Sequence, residues 1–179
     1  MITKEITDSI LTIGCEYRPP KGGIAQVIDS YSKYVFATFL FSANSAGKSK
    51  MCKFIKCISA FIEVFSRLII QSRIKIVHIH TASRNSFRRS ILFIRLAKMM
   101  RRKVVVHIHG GGFKEYYASN SEFVRKYLLM ADCVIALSES WRDFFISKVG
   151  LSNVQIVHNI VPQPQKESLK VDGVLHGLF

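Results

Sequence analysis

The sequence predicts an α/β fold with a doubly wound, Rossmann-like parallel sheet. Three observations support this: six short apolar runs are typical of strands, segments with helical spacing separate them, and glycine or histidine follows several runs. Strands that alternate with helices form βαβ units, in which the strands lie parallel. Ligands of such sheets bind beyond the carboxyl ends of the strands, so the residues there are the first candidates for a site.

Each element follows from its local pattern. In the first part of the chain we predict strands at Ile10–Gly14 and Val35–Phe41, a turn with Gly22 and Gly23, a helix at Ile24–Tyr34 and a polar loop at Asn44–Lys50. In the second part we predict strands at Ile74–His80, Val104–His109, Cys133–Leu137 and Val154–Val157, and helices from about Ser90 to Arg102, at Glu115–Met130 and at Glu139–Lys148, the last N-capped by Ser138.

The long helix predicted at Met51–Gln71 carries its charges on one narrow stripe. The polar positions of the stripe are Lys53, Lys56, Glu63 and Arg67, with Ala60 between them, and successive members fall three and four residues apart. Most other positions of the helix are apolar. Two interpretations stay open. We favour a helix packed on the sheet, and the alternative is a basic amphipathic face that rests against a membrane.

The chain is strongly basic, with a formal net charge of +14 over 179 residues. Between Val64 and Lys114 it has twelve Lys or Arg residues and neither Asp nor Glu. Such an excess favours anionic partners, including phosphates, anionic lipid headgroups and nucleic acid. Because neither a secretory signal nor an apolar run of about 20 residues is present, we expect the chain to be cytoplasmic. Peripheral contact with the inner face of the membrane stays open as an option.

Two predicted strands end in His-x-His, and the second continues into Gly110. The pairs share a strand face and so could ligate a metal, but no carboxylate or thiolate lies near them in sequence, and we expect no metal site. His78 and His107 lie further inside the strands and are interpreted as hydrogen-bonded core residues. His80 and His109 lie at the strand exits and are the functional candidates.

Known phosphate-binding and hydrolase motifs are absent. The glycines after His109 do not match the dinucleotide-binding fingerprint, because Glu115 stands where the third glycine is needed. The Asn44–Ser49 loop resembles the end of a P-loop, but Ser42 replaces its leading glycine. The His-Gly-Gly-Gly run is similar to the oxyanion loop of lipases, yet the chain has no Gly-x-Ser-x-Gly elbow.

An ordered set of motifs resembles the N-terminal lobe of family 4 retaining glycosyltransferases, which have the GT-B fold. The resemblance covers about residues 9 to 162, and its motifs are Pro20-Lys21-Gly22-Gly23-Ile24, Val77-His78-Ile79-His80, His107-Ile108-His109-Gly110, Asp132 to Ser138 and Val157-His158-Asn159-Ile160-Val161. It implies transfer of a sugar from a nucleotide-sugar donor to a glycan or lipid-linked acceptor, without another cofactor.

The resemblance also implies roles for single residues. Gly22 and Gly23 match the loop that approaches the donor phosphates, and His109 matches the histidine near the transferred sugar. The other strand ends add His80, Gly110 and Ser138 to the expected substrate-binding rim. From position and charge alone, we expect three cations to bind an anionic acceptor: Arg84, Arg88 and Lys114.

We expect the chain to depart from the family in its donor-binding lobe, which we do not find in the sequence. No two glutamates are eight positions apart, as a Glu-x7-Glu motif requires. We therefore expect residues 1–162 to form the acceptor-side domain and residues 163–179 a linker and the start of another lobe, in a split or a truncated enzyme. The alternative is a non-catalytic basic module that binds an anionic membrane or nucleic acid; no nucleic-acid-binding motif supports the latter.

Overall fold

A computed structural model of the chain describes residues 1–47 and 49–160, so the linker and start of another lobe expected at residues 163–179 lie outside the described residues. The strands are β1 Ile10–Cys15, β2 Leu40–Ser45, β3 Ile76–Thr81, β4 Lys103–Ile108, β5 Cys133–Ala136 and β6 Val154–Ile156. The helices are α1 Lys4–Thr7, α2 Gly23–Ser30, α3 Lys50–Ile70, α4 Asn85–Met99, α5 Phe113–Ala118, α6 Ser121–Leu128 and α7 Glu139–Phe144. Wider π-helical turns continue α2 at Tyr31–Val35 and α7 at Phe145–Val149.

The six strands form one parallel sheet in the order β2-β1-β3-β4-β5-β6. The order reverses direction at β1, because β2 lies on one side of it and β3 to β6 follow on the other. The predicted doubly wound α/β fold is therefore confirmed. In such a sheet, the loops after the strands meet at the carboxyl edge.

Side chains alternate strictly between the two faces of the central strands. One face is aliphatic and packs into the main core with α3 and α4; on β3 and β4 it consists of Val77, Ile79, Val104, Val106 and Ile108. The opposite face carries His78 and His80 on β3 and His107 on β4, beneath Tyr31. The period of two that made these runs recognisable as strands therefore also collects the histidines on one face.

The predicted second strand, Val35–Phe41, is wrong in its position. Val35 ends the π-helical turn, and β2 begins at Leu40 and continues through residues expected to form a polar loop. β2 is an edge strand, and α3 supplies a hydrogen-bond partner for one of its polar side chains. The Ser42 hydroxyl donates to a Glu63 carboxylate oxygen over 2.9 Å. Because this partner is distant in sequence, the polar strand lacked a recognisable local pattern.

The helix predicted at Glu115–Met130 is two helices. α5 ends at Ala118, and α6 begins at Ser121 after Asn120, whose φ of −146° is not helical. The Asn120 side-chain amide donates to the carbonyl oxygen of Tyr116 over 3.1 Å, which closes the end of α5. Asparagine competes with helical backbone hydrogen bonds in this way, so it breaks the helix.

α3 packs on the sheet, as favoured, but Glu63 and Arg67 of its polar stripe face inward. Glu63 and Arg67 form an ion pair at 2.8 Å, and the Arg67 guanidinium donates to the carbonyl oxygen of Phe41. The outward face is apolar, with exposed Met51, Phe54, Ile55, Ile58, Ile62, Phe65, Ile69 and Ile70. In the described part of the chain, no helix has both the length and the apolar character needed to cross a bilayer.

Asp132, just before β5, ties three elements together. Its carboxylate accepts from the Val104 backbone N–H over 2.8 Å and pairs with Lys98 and Lys103 at 2.9 and 3.1 Å. Burial alone would raise the pKa of this carboxyl, but the hydrogen bonds from Val104, Lys98 and Lys103 hold the pKa at about 2. Asp132 is therefore a charged anchor for the start of β4 and β5.

We expect Asp132→Asn to lower the free energy of unfolding by about 1–3 kcal/mol, because it weakens hydrogen bonds to a charged acceptor. Solvent screens the lysine contacts, so the bond to the Val104 N–H contributes most. Urea unfolding at pH 7 measures the change. The matched variant Asp143→Asn, at an exposed position, is expected to stay within about 0.5 kcal/mol; an equal loss in both variants would contradict the anchoring role.

Candidate active site

A pocket of about 240 Å³ lies at the carboxyl edge of the sheet. Its lining comes from α2 and from the loops after β3, β4, β5 and β6, and consists of Gly23, Ile24, Val27, Ala82, His109, Gly110, Leu137 and Asn159. Three expected site residues, Gly23, His109 and Gly110, therefore meet in one cavity. The pocket extends from α2 and the loop after β3, beside the point where the winding of the sheet reverses, and α/β sheets bind ligands at such a point.

The Gly22-Gly23 turn lies where β1 passes into α2. Gly22 has a φ of +96°, and a Cβ atom at either glycine would meet nothing within 4 Å. Because the first N–H groups of a helix lack intrahelical partners, the start of α2 offers donors next to the pocket. The open space around both glycines leaves this backbone accessible to a ligand.

Four histidines form an array behind the pocket, on the face of the sheet that Tyr31 covers. His80 of β3 pairs in register with His107 of β4, and their ring centroids are 4.9 Å apart. The rings of His107 and His109 are 4.1 Å apart, and those of His78 and His80 are 4.4 Å apart. All four side chains are at least 95% buried, and His109 alone among them lines the pocket.

Burial keeps these imidazoles neutral near pH 7. Desolvation lowers the pKa of His78 to about 3 and that of His109 to about 4, the former with help from the neighbouring His109. It also places the pKa values of His80 and His107 well below the usual range, with further lowering from the other histidines. Each ring therefore has one N–H donor and one lone pair available.

His80 holds His109 in place. Nδ1 of His80 and Nε2 of His109 are 3.0 Å apart and share a hydrogen bond in the buried array. This leaves Nδ1 of His109 as the ring nitrogen free to interact with a ligand. His80, expected at the substrate-binding rim, is 2% exposed and contacts the pocket only through His109.

The expectation that His78 and His107 are hydrogen-bonded core residues is half right. Both are buried, but Nε2 of His78 and both ring nitrogens of His107 have no hydrogen-bond partner among the described residues. Buried polar atoms normally have partners. The sequence showed that these residues lie inside strands, but not that their neighbours would be other imidazoles.

The expected cation cluster is divided between two places. Arg84 and Arg88 line a pocket of about 420 Å³ with Asn85, Glu115, Tyr116, Ser119 and Asn120. Glu115 offsets one of the two positive charges there. Lys114 lies elsewhere, 5.0 Å from the centre of the Trp141 ring, with a hydrogen bond to the Ser140 hydroxyl at 3.4 Å.

Ser138 occupies the N-cap position of α7, as expected, but its side chain makes no capping hydrogen bond. The neighbouring Leu137 lines the pocket, whereas Ser138 does not. Sequence reasoning also missed Tyr31 and the pocket-lining Val27. Both lie on the inward face of the first long helical segment, and that helical spacing was the available signal.

Gly110 takes a φ of +99°, a conformation that L-residues rarely adopt. We expect Gly110→Ala to lower the free energy of unfolding by about 1–2 kcal/mol, because a Cβ atom clashes with its own backbone there. Gly111→Ala is the matched control, since its φ is not positive and a Cβ would meet nothing within 4 Å. Urea unfolding compares them, and equal losses would show that φ is not the cause.

The sequence model of the family described as Glycosyltransferase Family 4 matches residues 50–163. The chain belongs to this family. The matched range includes the array histidines, Gly110, Ser138 and Asn159, but it begins after the Gly22-Gly23 turn. No curated protein matches the chain.

Proposed function

We propose that the chain is the acceptor-side lobe of a retaining glycosyltransferase with the GT-B fold. In this proposal it transfers a sugar from a nucleotide-sugar donor to a glycan or lipid-linked acceptor, together with a donor-binding lobe. The observation that carries it is the pocket where Gly23, His109 and Gly110 meet at the carboxyl edge of a family 4 domain.

The size of the pocket supports a shared site. At about 240 Å³, it is below the roughly 300–1,000 Å³ of ordinary ligand sites. It therefore fits a part of the substrates, such as the transferred sugar, and a second lobe would enclose the rest. The free N–H groups at the start of α2 would face the donor diphosphate, since helix N-termini attract anions.

His109 is the proposed catalytic residue. Its neutral imidazole, oriented through Nε2 by His80, would present Nδ1 to a hydroxyl of the transferred sugar. A fixed dipole of this kind stabilises charge that develops in the transition state without reorganisation. Gly110 supports this role, because the absence of a side chain keeps the space beside the imidazole open.

Arg84 and Arg88 are the proposed acceptor-binding cations. Arg84 has a φ of +56° at the start of α4, a conformation that non-glycine residues rarely adopt and that is often found at functional sites. Both guanidinium groups line the larger pocket, where bidentate contacts with a phosphate or carboxylate are available. Lys114 would add a longer-range attraction for the same anionic acceptor.

A reconstitution tests the proposal. The chain is mixed with, or fused to, a family 4 donor-binding lobe and supplied with UDP-, GDP- and ADP-sugars and extracted glycan or lipid-linked acceptors. We expect nucleoside diphosphate release and product with the same anomeric configuration as the donor, both dependent on the chain. Release that equals that of the donor lobe alone for every pair would refute the proposal.

We also propose that the apolar face of α3 docks on an anionic membrane, where lipid-linked acceptors are found. Eight large apolar side chains are exposed along this 21-residue helix, and Lys50, Lys53 and Lys56 lie in its first two turns. Monomeric proteins rarely expose so continuous an apolar surface. An apolar face flanked by lysines matches the hydrocarbon boundary and headgroups of anionic lipids.

A further inference from the structure

We propose that His78, His80 and His107 bind a divalent transition-metal ion, represented by Zn²⁺, with His109 as the outer hydrogen-bonded partner. Among residues 1–47 and 49–160, these three are the only group of His, Cys, Asp or Glu side chains close enough to hold a metal ion. One ring nitrogen from each lies within 4.8 Å of the others. Neighbours along the chain offer these histidines no further ligand, whereas pairing of β3 with β4 brings His107 beside His78 and His80 as the third.

Each of the three histidines has a buried ring nitrogen without a hydrogen-bond partner among the described residues. Nε2 of His78, Nε2 of His80 and both ring nitrogens of His107 have no hydrogen-bond partner among the described residues. Each residue is at most 5% exposed, so bulk water does not satisfy them. Leaving several such atoms unpaired in one place costs free energy, and a metal ion would satisfy three of them together.

The type of ligand selects the class of ion. Metal ions bind an imidazole through the lone pair of a ring nitrogen. Three imidazole ligands suit the borderline-soft ions Zn²⁺, Ni²⁺ and Cu²⁺ and disfavour Mg²⁺ and Ca²⁺, which prefer oxygen. Zn²⁺ with three histidines leaves a fourth position for water or another small ligand.

The rings must move closer to hold the ion. Metal–nitrogen bonds of about 2.0–2.1 Å in a tetrahedral site place the ligand nitrogens roughly 3.4 Å apart. In this structure the ring nitrogens of the three histidines lie within 4.8 Å of one another. Rotation about χ2, a broad torsion in histidine, closes a gap of this size. The cluster needs no movement of β3 or β4, because His80 and His107 already face each other in register.

His109 fits the role of outer partner. With Nε2 of His80 on the metal, the proton of His80 lies on Nδ1, which then donates to Nε2 of His109. His109 must in turn carry its own proton on Nδ1, as a donor. Binding of the ion does not depend on the proposed transferase function. Donation from Nδ1 of His109 to a sugar hydroxyl does rest on that function.

Metal titration of the full chain, purified without a histidine tag and stripped with a chelator, tests the proposal. We expect one Zn²⁺ per chain in competition with a chromophoric chelator, and a higher unfolding temperature with Zn²⁺. Replacement of a ligand, in His78→Phe or His107→Phe, is expected to weaken binding by more than about 100-fold, and His109→Ala by about 10–100-fold. Phenylalanine retains the aromatic packing without a ligating nitrogen.

The control is His158→Phe, at a histidine outside the array whose Nδ1 lies 3.1 Å from the Leu137 carbonyl oxygen, and this variant is expected to bind Zn²⁺ like the parent. If the ligand variants do not fold, X-ray absorption of the Zn²⁺-bound parent still decides, because it counts imidazole ligands and detects sulfur. The proposed site is overturned by any of four results: less than one ion per chain, fewer than three imidazole ligands, a cysteine ligand, or unchanged binding in the folded His107→Phe variant. Absence of transferase activity in the reconstituted enzyme, with metal binding intact, would count against the proposed function instead.

Discussion

His109→Ala is expected to lower kcat for sugar transfer by about 100- to 1,000-fold in the reconstituted two-lobe enzyme. This is the usual cost of removing one preorganised group that stabilises charge in a transition state. KM for the donor is expected to change much less, because the pocket has seven other lining residues that bind without His109. Initial rates of nucleoside diphosphate release at varied donor concentration separate the two effects.

Two further variants make the result specific. His109→Gln retains a side-chain amide that can donate and accept a hydrogen bond, and is expected to recover part of the lost kcat. Arg95→Ala truncates a long exposed side chain on α4, away from the pocket, and is expected to match the parent. Circular dichroism confirms that each variant folds. Turnover of His109→Ala within about twofold of the parent would remove His109 from the catalytic site.

The strands were predictable because burial imposes a local pattern. Residues of β3 and β4 alternate between the aliphatic core and the histidine face, and this period of two can be recognised without tertiary knowledge. β2 was misplaced because Ser42, Asn44 and Ser45 are polar yet buried at an edge strand. The Glu63 partner of Ser42 lies 21 residues away, so no local pattern reveals it.

The site was predictable to the extent that it follows from topology. Parallel strands release their carboxyl ends at one edge, so Gly23, His109 and Gly110 could be expected to meet from the order of the elements alone. The burial of His80 could not, because it depends on the β3–β4 register and on Tyr31 above the rings. The separation of Lys114 from Arg84 and Arg88 likewise depends on packing against Trp141.

α3 shows how an amphipathic pattern can be assigned to the wrong side. A polar stripe on a helix normally faces water, but here Glu63 and Arg67 face β2 and find partners in Ser42 and the Phe41 carbonyl. The apolar remainder is therefore left outside. The outward apolar face is the part of the surface on which the proposed membrane contact can be tested.

The triple variant Phe54→Ser, Ile58→Ser, Ile62→Ser is expected to weaken binding to anionic vesicles by at least about 40-fold. Each of these side chains is 46–61% exposed, and i, i+4 spacing places them on one side of α3. Burial of such a side chain contributes about 1.5–3 kcal/mol, so loss of even half of that at three positions is sufficient. Vesicle co-sedimentation, with phosphatidylcholine containing about one-third phosphatidylserine, measures the partition coefficient.

The matched control, Phe123→Ser, Leu129→Ser, Ile146→Ser, removes three similarly exposed apolar side chains from other surfaces, and is expected to bind like the parent. Pure phosphatidylcholine vesicles and high salt separate the two contributions, because screening removes the attraction of the lysines for the headgroups and leaves apolar insertion intact. Equal losses in both triple variants would reduce the effect to general surface hydrophobicity. If the parent protein does not bind anionic vesicles but binds DNA or RNA with a steep salt dependence, the result would instead support the nucleic-acid alternative.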